Sequence, residues 1–388
     1  MIVHDKNLLD NEALLEEANS LQSGGFISKE QNNLIKKELP AFRSQSNILV
    51  RFGFFLLGSF LYSSICGAFS LIGMAGEDFY FKICCYIFAA VGFGGAELLA
   101  NQNYRNHGLD DAFILGAILN LGLAVAFTTD GYELVIAAFV AVASFFMYRR
   151  YLHIMALVVF CLASSAILFY GLFEFGAIGK TILPFVTMLF SAVFYFFTKK
   201  TVLNLTETYY YNGLLLVNSF CLILFYLSCN YLVVRELSVL LLGNEILPGT
   251  DIPFAVFFYA FTLIVPIVYL VQALKTKDRI MLWISFLAIG FSIYTIRFYY
   301  SVLPIEVALT LGGAILFVIA YFSIKKLKEK DSGLTFKPDR INNSSAFLNA
   351  EALIVASTFG LKPEVKPQSS PMDFGGGGFS GGGSGGSF

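Results

Sequence analysis

Charge is what this sequence has least of. Aspartate, glutamate, lysine and arginine supply only 14% of its 388 residues, against roughly 25% in soluble domains. So few charges cannot cover a water-soluble globule, which excludes a string of soluble domains despite a length that would allow several. The signs nearly cancel, at a formal net charge of −1, and no basic footprint for a nucleic-acid partner is present. Histidine is scarce: His4, His107 and His153 stand far apart in the sequence. Cys66, Cys84, Cys85, Cys161, Cys221 and Cys229 fall in apolar runs, with no C-x-x-C pair and no Cys/His spacing suited to zinc. They read as small, polarizable packing residues, so neither a metal site nor a cofactor is expected.

Catalytic signatures are missing as well. There is no G-x-S-x-G, no P-loop, no H-E-x-x-H and no His–carboxylate cluster, so no enzymatic activity is expected. The amino terminus lacks the basic start and early apolar run of a cleaved leader. A polar, acidic stretch runs instead to about Asn47, and the first apolar segment, near Arg51, is expected to act as an uncleaved signal anchor.

What the chain has in abundance is apolar surface. Hydrophobic residues make up 57% of it, and the mean hydropathy is +0.71. A helix crosses the hydrocarbon core with about 20 apolar residues. Ten segments qualify, at 50–74, 79–100, 111–128, 132–148, 151–171, 181–198, 210–234, 252–273, 279–300 and 304–324. The fourth and fifth are expected to form a tight hairpin around Arg149 and Arg150. Residues 237–247 are too short to span and read as an interfacial or re-entrant piece. Aromatic content is dominated by 42 Phe and 20 Tyr, with Trp283 the single tryptophan. Tyrosines at 209–211 and 299–300 sit near predicted helix ends, as interfacial belts do.

The fold class that follows is all-α, a polytopic transmembrane helix bundle with four parts. Residues 1–47 are expected to form a cytosolic helical hairpin. In it, Ser28 and Gln31 mark a capping box and Pro40 a stop. Residues 48–326 form the transmembrane domain. Residues 327–362 form a cytosolic segment with a short amphipathic helix at 345–359. Residues 363–388 form a Pro/Gly/Ser-rich tail. Gly/Ser sequence behaves as flexible coil, so the tail is expected to be disordered, with Phe374, Phe379 and Phe388 as weak apolar contacts.

Lysine and arginine alternate between loops. Arg105, Arg149, Arg150, Lys199, Lys200, Lys275, Lys277 and Arg279 fall on one side, with Lys36, Lys37, Arg43, Arg51, Lys325, Lys326, Lys328 and Lys330 in the terminal flanks. The opposite side carries only Lys82, Lys180 and Arg235, beside Glu77, Asp78, Asp130, Glu133, Glu174 and Asp251. The positive-inside rule then predicts two cytoplasmic termini.

Polar groups within spans are the natural pointers to function in a membrane. Glu97 and Asn101 share a face near the end of the second span. Small residues before them allow close helix approach, so Glu97 reads either as a packing-face residue or as a coupling carboxylate. Asn120 and Asn218 are mid-span amides expected to hydrogen-bond across helices. Arg297 and Glu306 come to similar depth across a short turn and are expected to pair, either as a staple between two helices or as a substrate-gating pair. Glu306 and Thr310 share a face that could line a cavity. Pro266 is expected to kink the eighth span.

The stretch LLEEANSLQSGGFISKEQNNLIKKEL, residues 14–39, resembles the short helical hairpin that opens bacterial membrane proteins of the DUF2157 group. The shared features are the glycine turn, the Ile-Ser entry to the second helix and the Gln that follows. The resemblance implies a bacterial cytoplasmic (inner) membrane location and supplies no reaction and no site residues. The glycine-rich tail is similar in composition to those of some other bacterial membrane proteins, including TPM-domain and DUF2207-type proteins, though no TPM domain is present here.

Two function classes remain. One is a small-solute transporter or permease of unknown substrate. The other is a non-transporting scaffold or assembly factor that meets a protein partner through its hairpin or tail. The lipid bilayer is the one partner that composition itself requires. Reporter fusions test the topology. Fusions at Arg149 and Lys200 should report the cytoplasm, and those at Asp130 and Asp251 the opposite side; one clear reversal overturns the arrangement.

Overall fold

The structure is a computed structural model. It describes residues 2–23, 26–72, 78–205, 207–242, 251–276 and 278–299, with scattered positions between 307 and 325. Two short helices, α1 (Lys6–Ser23) and α2 (Lys29–Glu38), precede the apolar part. Then come α3 (Ile48–Ile72), α4 (Asp78–Asn101), α5 (Leu109–Thr128), α6 (Glu133–Tyr151), α7 (Ile154–Phe173) and α8 (Gly176–Leu203). A 3-10 turn, Thr208–Tyr210, leads into α9 (Tyr211–Ser228), α10 (Tyr231–Leu242), α11 (Ala255–Thr276) and α12 (Arg279–Tyr299). Among the described residues, 9 helices are long and apolar enough to cross a membrane: α3 to α9, α11 and α12. The tenth expected span, 304–324, lies mostly outside the described residues; Val307, Thr310 and Phe317 within it are helical. The expected helix at 345–359 and the tail also lie outside them.

Local sequence explains the helix ends. Ser28 closes a capping box on α2: its N–H donates to Gln31 Oε1 at 2.8 Å, and Gln31 N–H donates to Ser28 Oγ at 3.2 Å. The expected hairpin at Arg149 and Arg150 is displaced. Both arginines belong to the last turn of α6, where they complement the helix dipole. The chain turns instead at Leu152, in the left-handed region at φ 55, and His153 caps α7. The expected span 181–198 extends to 28 residues and holds Pro184 within it. The expected span 210–234 is two helices, because the chain breaks between Ser228 and Tyr231. The interfacial piece expected at 237–247 therefore begins as the end of α10, and its remainder lies outside the described residues.

Packing is organised around two helices. α5 is the most enclosed span, half of its apolar window being buried against 11% for α3. It packs on α3, α4 and α6. α9 joins two cores: Val217 and Cys221 face the α3–α7 group, while Leu222 and Tyr226 face α11 and α12. Lipid tails are as apolar as leucine, so burial alone does not hold such helices together; close packing and hydrogen bonds do. Phe60, Val142, Phe197 and Leu287 accordingly point outward, each at least 70% exposed.

Gly92 shows how close the central helices come. A Cβ there would meet the Ala117 backbone nitrogen at 2.8 Å, whereas one on Gly94 would meet nothing within 4 Å. Gly92→Ala should cost about 1–3 kcal/mol by overpacking the α4–α5 contact. Gly94→Ala should be neutral or slightly stabilising through helix propensity. Melting temperatures in detergent check the pair; equal effects would refute the close approach.

Candidate functional site: two buried polar assemblies

The first assembly lies beneath the N-terminal pair. The α4–α5 loop turns into α5 at Gly108, whose φ of 109 few other residues would adopt. Asp110 Oδ1 accepts from the His107 and Gly108 N–H groups, each at 2.9 Å, in the first turn where a carboxylate meets the helix dipole favourably. Asp111, one residue on, is gripped from two sides. Arg51 of α3 donates through Nε at 2.6 Å and Nη2 at 2.8 Å, the bidentate geometry of a strong pair. His153 Nε2 lies 2.8 Å from Asp111 Oδ1, while its Nδ1 accepts from Ala156 N–H at 3.1 Å. That second bond sets the tautomer: Nδ1 is the acceptor, so Nε2 carries the proton toward Asp111. One carboxylate thus joins α3, α5 and the α6–α7 turn.

A second ion pair lies alongside. Arg150 Nη2 donates to Glu97 Oε2 at 2.9 Å, Arg150 Nε contacts Oε1, and Tyr151 Oη donates to Oε1 at 2.6 Å. The amino-terminal segment closes over this region. Val3 N–H donates to Arg150 O at 3.0 Å, Arg105 pairs with Glu12, and His4 stands edge-on to Phe42 at 5.1 Å. His4, Ala96, Ala100, Arg105, Asp110 and His153 line a cavity of about 10 Å³, room for one water. His4 Nδ1 and Arg105 Nε are buried there without a protein partner. Burial and the neighbouring Arg105 cation push His4 down to about 4, and burial lowers Arg105 to about 10.

The second assembly surrounds the break between α9 and α10. Cys229, Asn230 and Tyr231 are wholly buried, as irregular backbone at membrane depth must be. Asn230 caps α10, its Oδ1 accepting from Leu232 N–H at 3.0 Å, and its Nδ2 donates to Tyr226 Oη at 3.0 Å. Tyr226 Oη lies 2.7 Å from Ser292 Oγ on α12. Ser292 Oγ in turn donates to Thr262 O on α11 at 2.7 Å. That carbonyl is the one deprived of its helical partner by Pro266, which has no N–H to give. Tyr231 N–H donates to Thr262 Oγ1 at 2.9 Å, and Cys229 Sγ lies 3.7 Å from Pro184 O of α8. Two proline sites and one helix break therefore meet at one level. Thr262 sits roughly 10 Å along α11 from Ala255, at 1.5 Å per residue, well inside the span.

Among the described residues, those singled out from sequence do not gather into one site. Glu97 is engaged by Arg150 and Tyr151, and Asn101 is exposed at the end of α4. Asn120 Nδ2 donates to Tyr62 Oη at 2.8 Å, bridging α5 and α3, and Asn218 meets Thr198 Oγ1, bridging α9 and α8. Arg297 is half-buried in the last turn of α12, and Thr310 is exposed. Glu306, its expected ion-pair partner, lies outside the described residues. Asp111 and Asn230 were not singled out in sequence, and Arg51 and His153 stood out only as a flanking charge and an isolated histidine. The Asp110–Asp111 pair after Gly108, and one Asn interrupting an apolar run at 230, were the signals available. Among the described residues, no three His, Cys, Asp or Glu side chains are placed to hold a metal ion.

No family model, no curated protein and no solved structure matches the chain. The resemblance to the DUF2157 group, carried by the N-terminal pair and the many short spans after it, stays an expectation from sequence.

Burial of His4 has a pH consequence. The folded state holds it neutral down to about pH 4, while the unfolded chain protonates near the ordinary 6.5. Between those values the unfolded state binds more protons, so stability falls as pH falls through this window and the loss is complete below about 4. The contribution is on the order of 3 kcal/mol. His4→Asn should remove that part of the acid slope. Parallel slopes for wild type and variant in acid melting curves would contradict it.

Proposed function

We propose that this multi-pass membrane protein is a permease for a small solute, with the α9–α10 break as its moving part. The observation that carries the reading is the buried break itself, set level with Pro184 and Pro266 and ringed by Tyr226, Asn230, Thr262 and Ser292. Discontinuous helices with free polar ends are what secondary transporters use to hold and release solutes. Side-chain hydroxyls and one amide can exchange bonds with one another, or with a solute, without leaving a polar group stranded. The same proposal places both termini in the cytoplasm of a bacterial inner membrane, supported by the lysine and arginine distribution. The two charged pairs beneath the N-terminal helices then anchor the cytoplasmic end, and the break opens toward the other.

A non-transporting scaffold is the second reading. It draws on Leu14, Phe26 and Leu34, which stand 55–64% exposed on the N-terminal pair.

Cys229 distinguishes the two without knowledge of the solute. In a variant whose other five cysteines are replaced by alanine, a membrane-impermeant maleimide added from one side should label Cys229 in the folded protein. Thr262→Val, which removes a hydroxyl from the ring, should change the labelling rate by about tenfold, or about 1.4 kcal/mol in the opening equilibrium. A thiol that reacts from neither side until the protein is denatured would refute the permease and favour the scaffold.

A further inference from the structure

A second space in the molecule has a different character. A cleft of about 350 Å³ opens between α4 and α6, floored by Ala117 of α5. Ala89 and Phe93 form one wall, and Phe139, Val142 and Phe146 the other. Val142 is 71% exposed, so the cleft opens sideways, toward lipid.

Both walls end in charge. On α4 the cleft face runs through 89 and 93 to Glu97. On α6 it runs through 139, 142, 143 and 146 to Arg150, at the helical spacing of three and four residues. The Glu97–Arg150 pair joins the two walls at that end, and the Arg150 guanidinium lies over the Phe93 ring, 5.9 Å from its centre. Arg150 spends Nε and Nη2 on Glu97, which leaves the Nη1 edge of the fork for another acceptor. Both charged side chains keep about a quarter of their surface open, at 26% and 22%.

Length identifies the occupant. Phe139 to Arg150 covers roughly 16 Å of helix, about half of a 30 Å hydrocarbon core. That is one leaflet, too short for a spanning partner helix and suited to a single acyl chain. The polar end sits at the end of α6, where headgroups lie. A phosphate is the acceptor that a guanidinium edge favours.

We propose that this cleft is a binding site for one glycerophospholipid, with an acyl chain along the α4–α6 walls and its phosphate on Arg150 Nη1. The proposal is independent of the permease reading, because the cleft and the α9–α10 break share no residue.

Native mass spectrometry of the full chain in mild detergent tests it. The probe is phosphatidylglycerol or phosphatidylethanolamine returned after delipidation, with diacylglycerol as the phosphate-free control. Wild type should retain one phospholipid and discriminate against diacylglycerol by about tenfold. Ala143→Phe and Ala89→Phe, which fill the cleft, should each lose about tenfold in lipid affinity while keeping the wild-type melting temperature. The double variant Glu97→Gln/Arg150→Gln keeps a neutral hydrogen-bonded pair. It should bind phospholipid and diacylglycerol alike. Wild-type lipid retention in a folded cleft-filling variant would overturn the site. Preference for phospholipid unchanged in the double variant would overturn the headgroup assignment, and that arm holds even if neither phenylalanine variant folds.

Discussion

The fold depends on one carboxylate. Asp111 sits in the first turn of α5, nearly enclosed, and takes the Arg51 fork from α3 and the His153 ring from the turn between α6 and α7. A buried charge of this kind is tolerated only while its partners are in place; stripping one partner costs about 3–5 kcal/mol. The bond therefore constrains geometry more than it adds net stability. It holds α3 against α5 and fixes where α6 ends. The end of α6 in turn sets the position of Arg150, and with it Glu97 and the polar end of the α4–α6 cleft. The N-terminal segment and α1 contact this region through Val3, His4 and Glu12.

The opposite half solves a different problem. It has a broken helix and two prolines inside the membrane, each of which frees backbone groups that lipid cannot satisfy. Ser292 covers the carbonyl that Pro266 leaves at Thr262, and Asn230 caps the helix that begins after the break. The result is a polar layer held mainly by neutral hydrogen bonds, with the Arg235–Asp251 pair meeting it through the Tyr231 hydroxyl. Neutral bonds of this kind are modest, at about 0.6 kcal/mol on average between membrane helices, and so can be exchanged. The end beneath the N-terminal helices is held mainly by ion pairs and the layer at the break mainly by neutral bonds. α9 links them, since its two faces belong to different cores.

Hydropathy and helix punctuation carried much of the architecture in plain view. The nine described spans, the Ser28 capping box and the amide bonds of Asn120 and Asn218 all follow from period, length and residue type, because a bilayer admits so few ways of satisfying a backbone. The short features were harder to read. Apolar periodicity continues across the break at 229–230, since both helices bury apolar faces and a hydropathy window averages over a two-residue gap. The turn at Leu152 is invisible for a similar reason: nothing about a leucine announces a left-handed backbone.

The sites were the least legible part, and the physical reason is distance along the chain. Glu97 was conspicuous as a lone carboxylate in an apolar run, but its meaning depends on Arg150, 53 residues away. Asp111 and Arg51 are separated by 60 residues, and Arg51 read only as a flanking charge. Composition by itself determined that the chain enters a membrane, because 14% charged residues cannot clothe a soluble surface. Only the tertiary structure decided which charges neutralise one another, because a pair's energy falls with separation in space and sequence spacing between different helices does not report it.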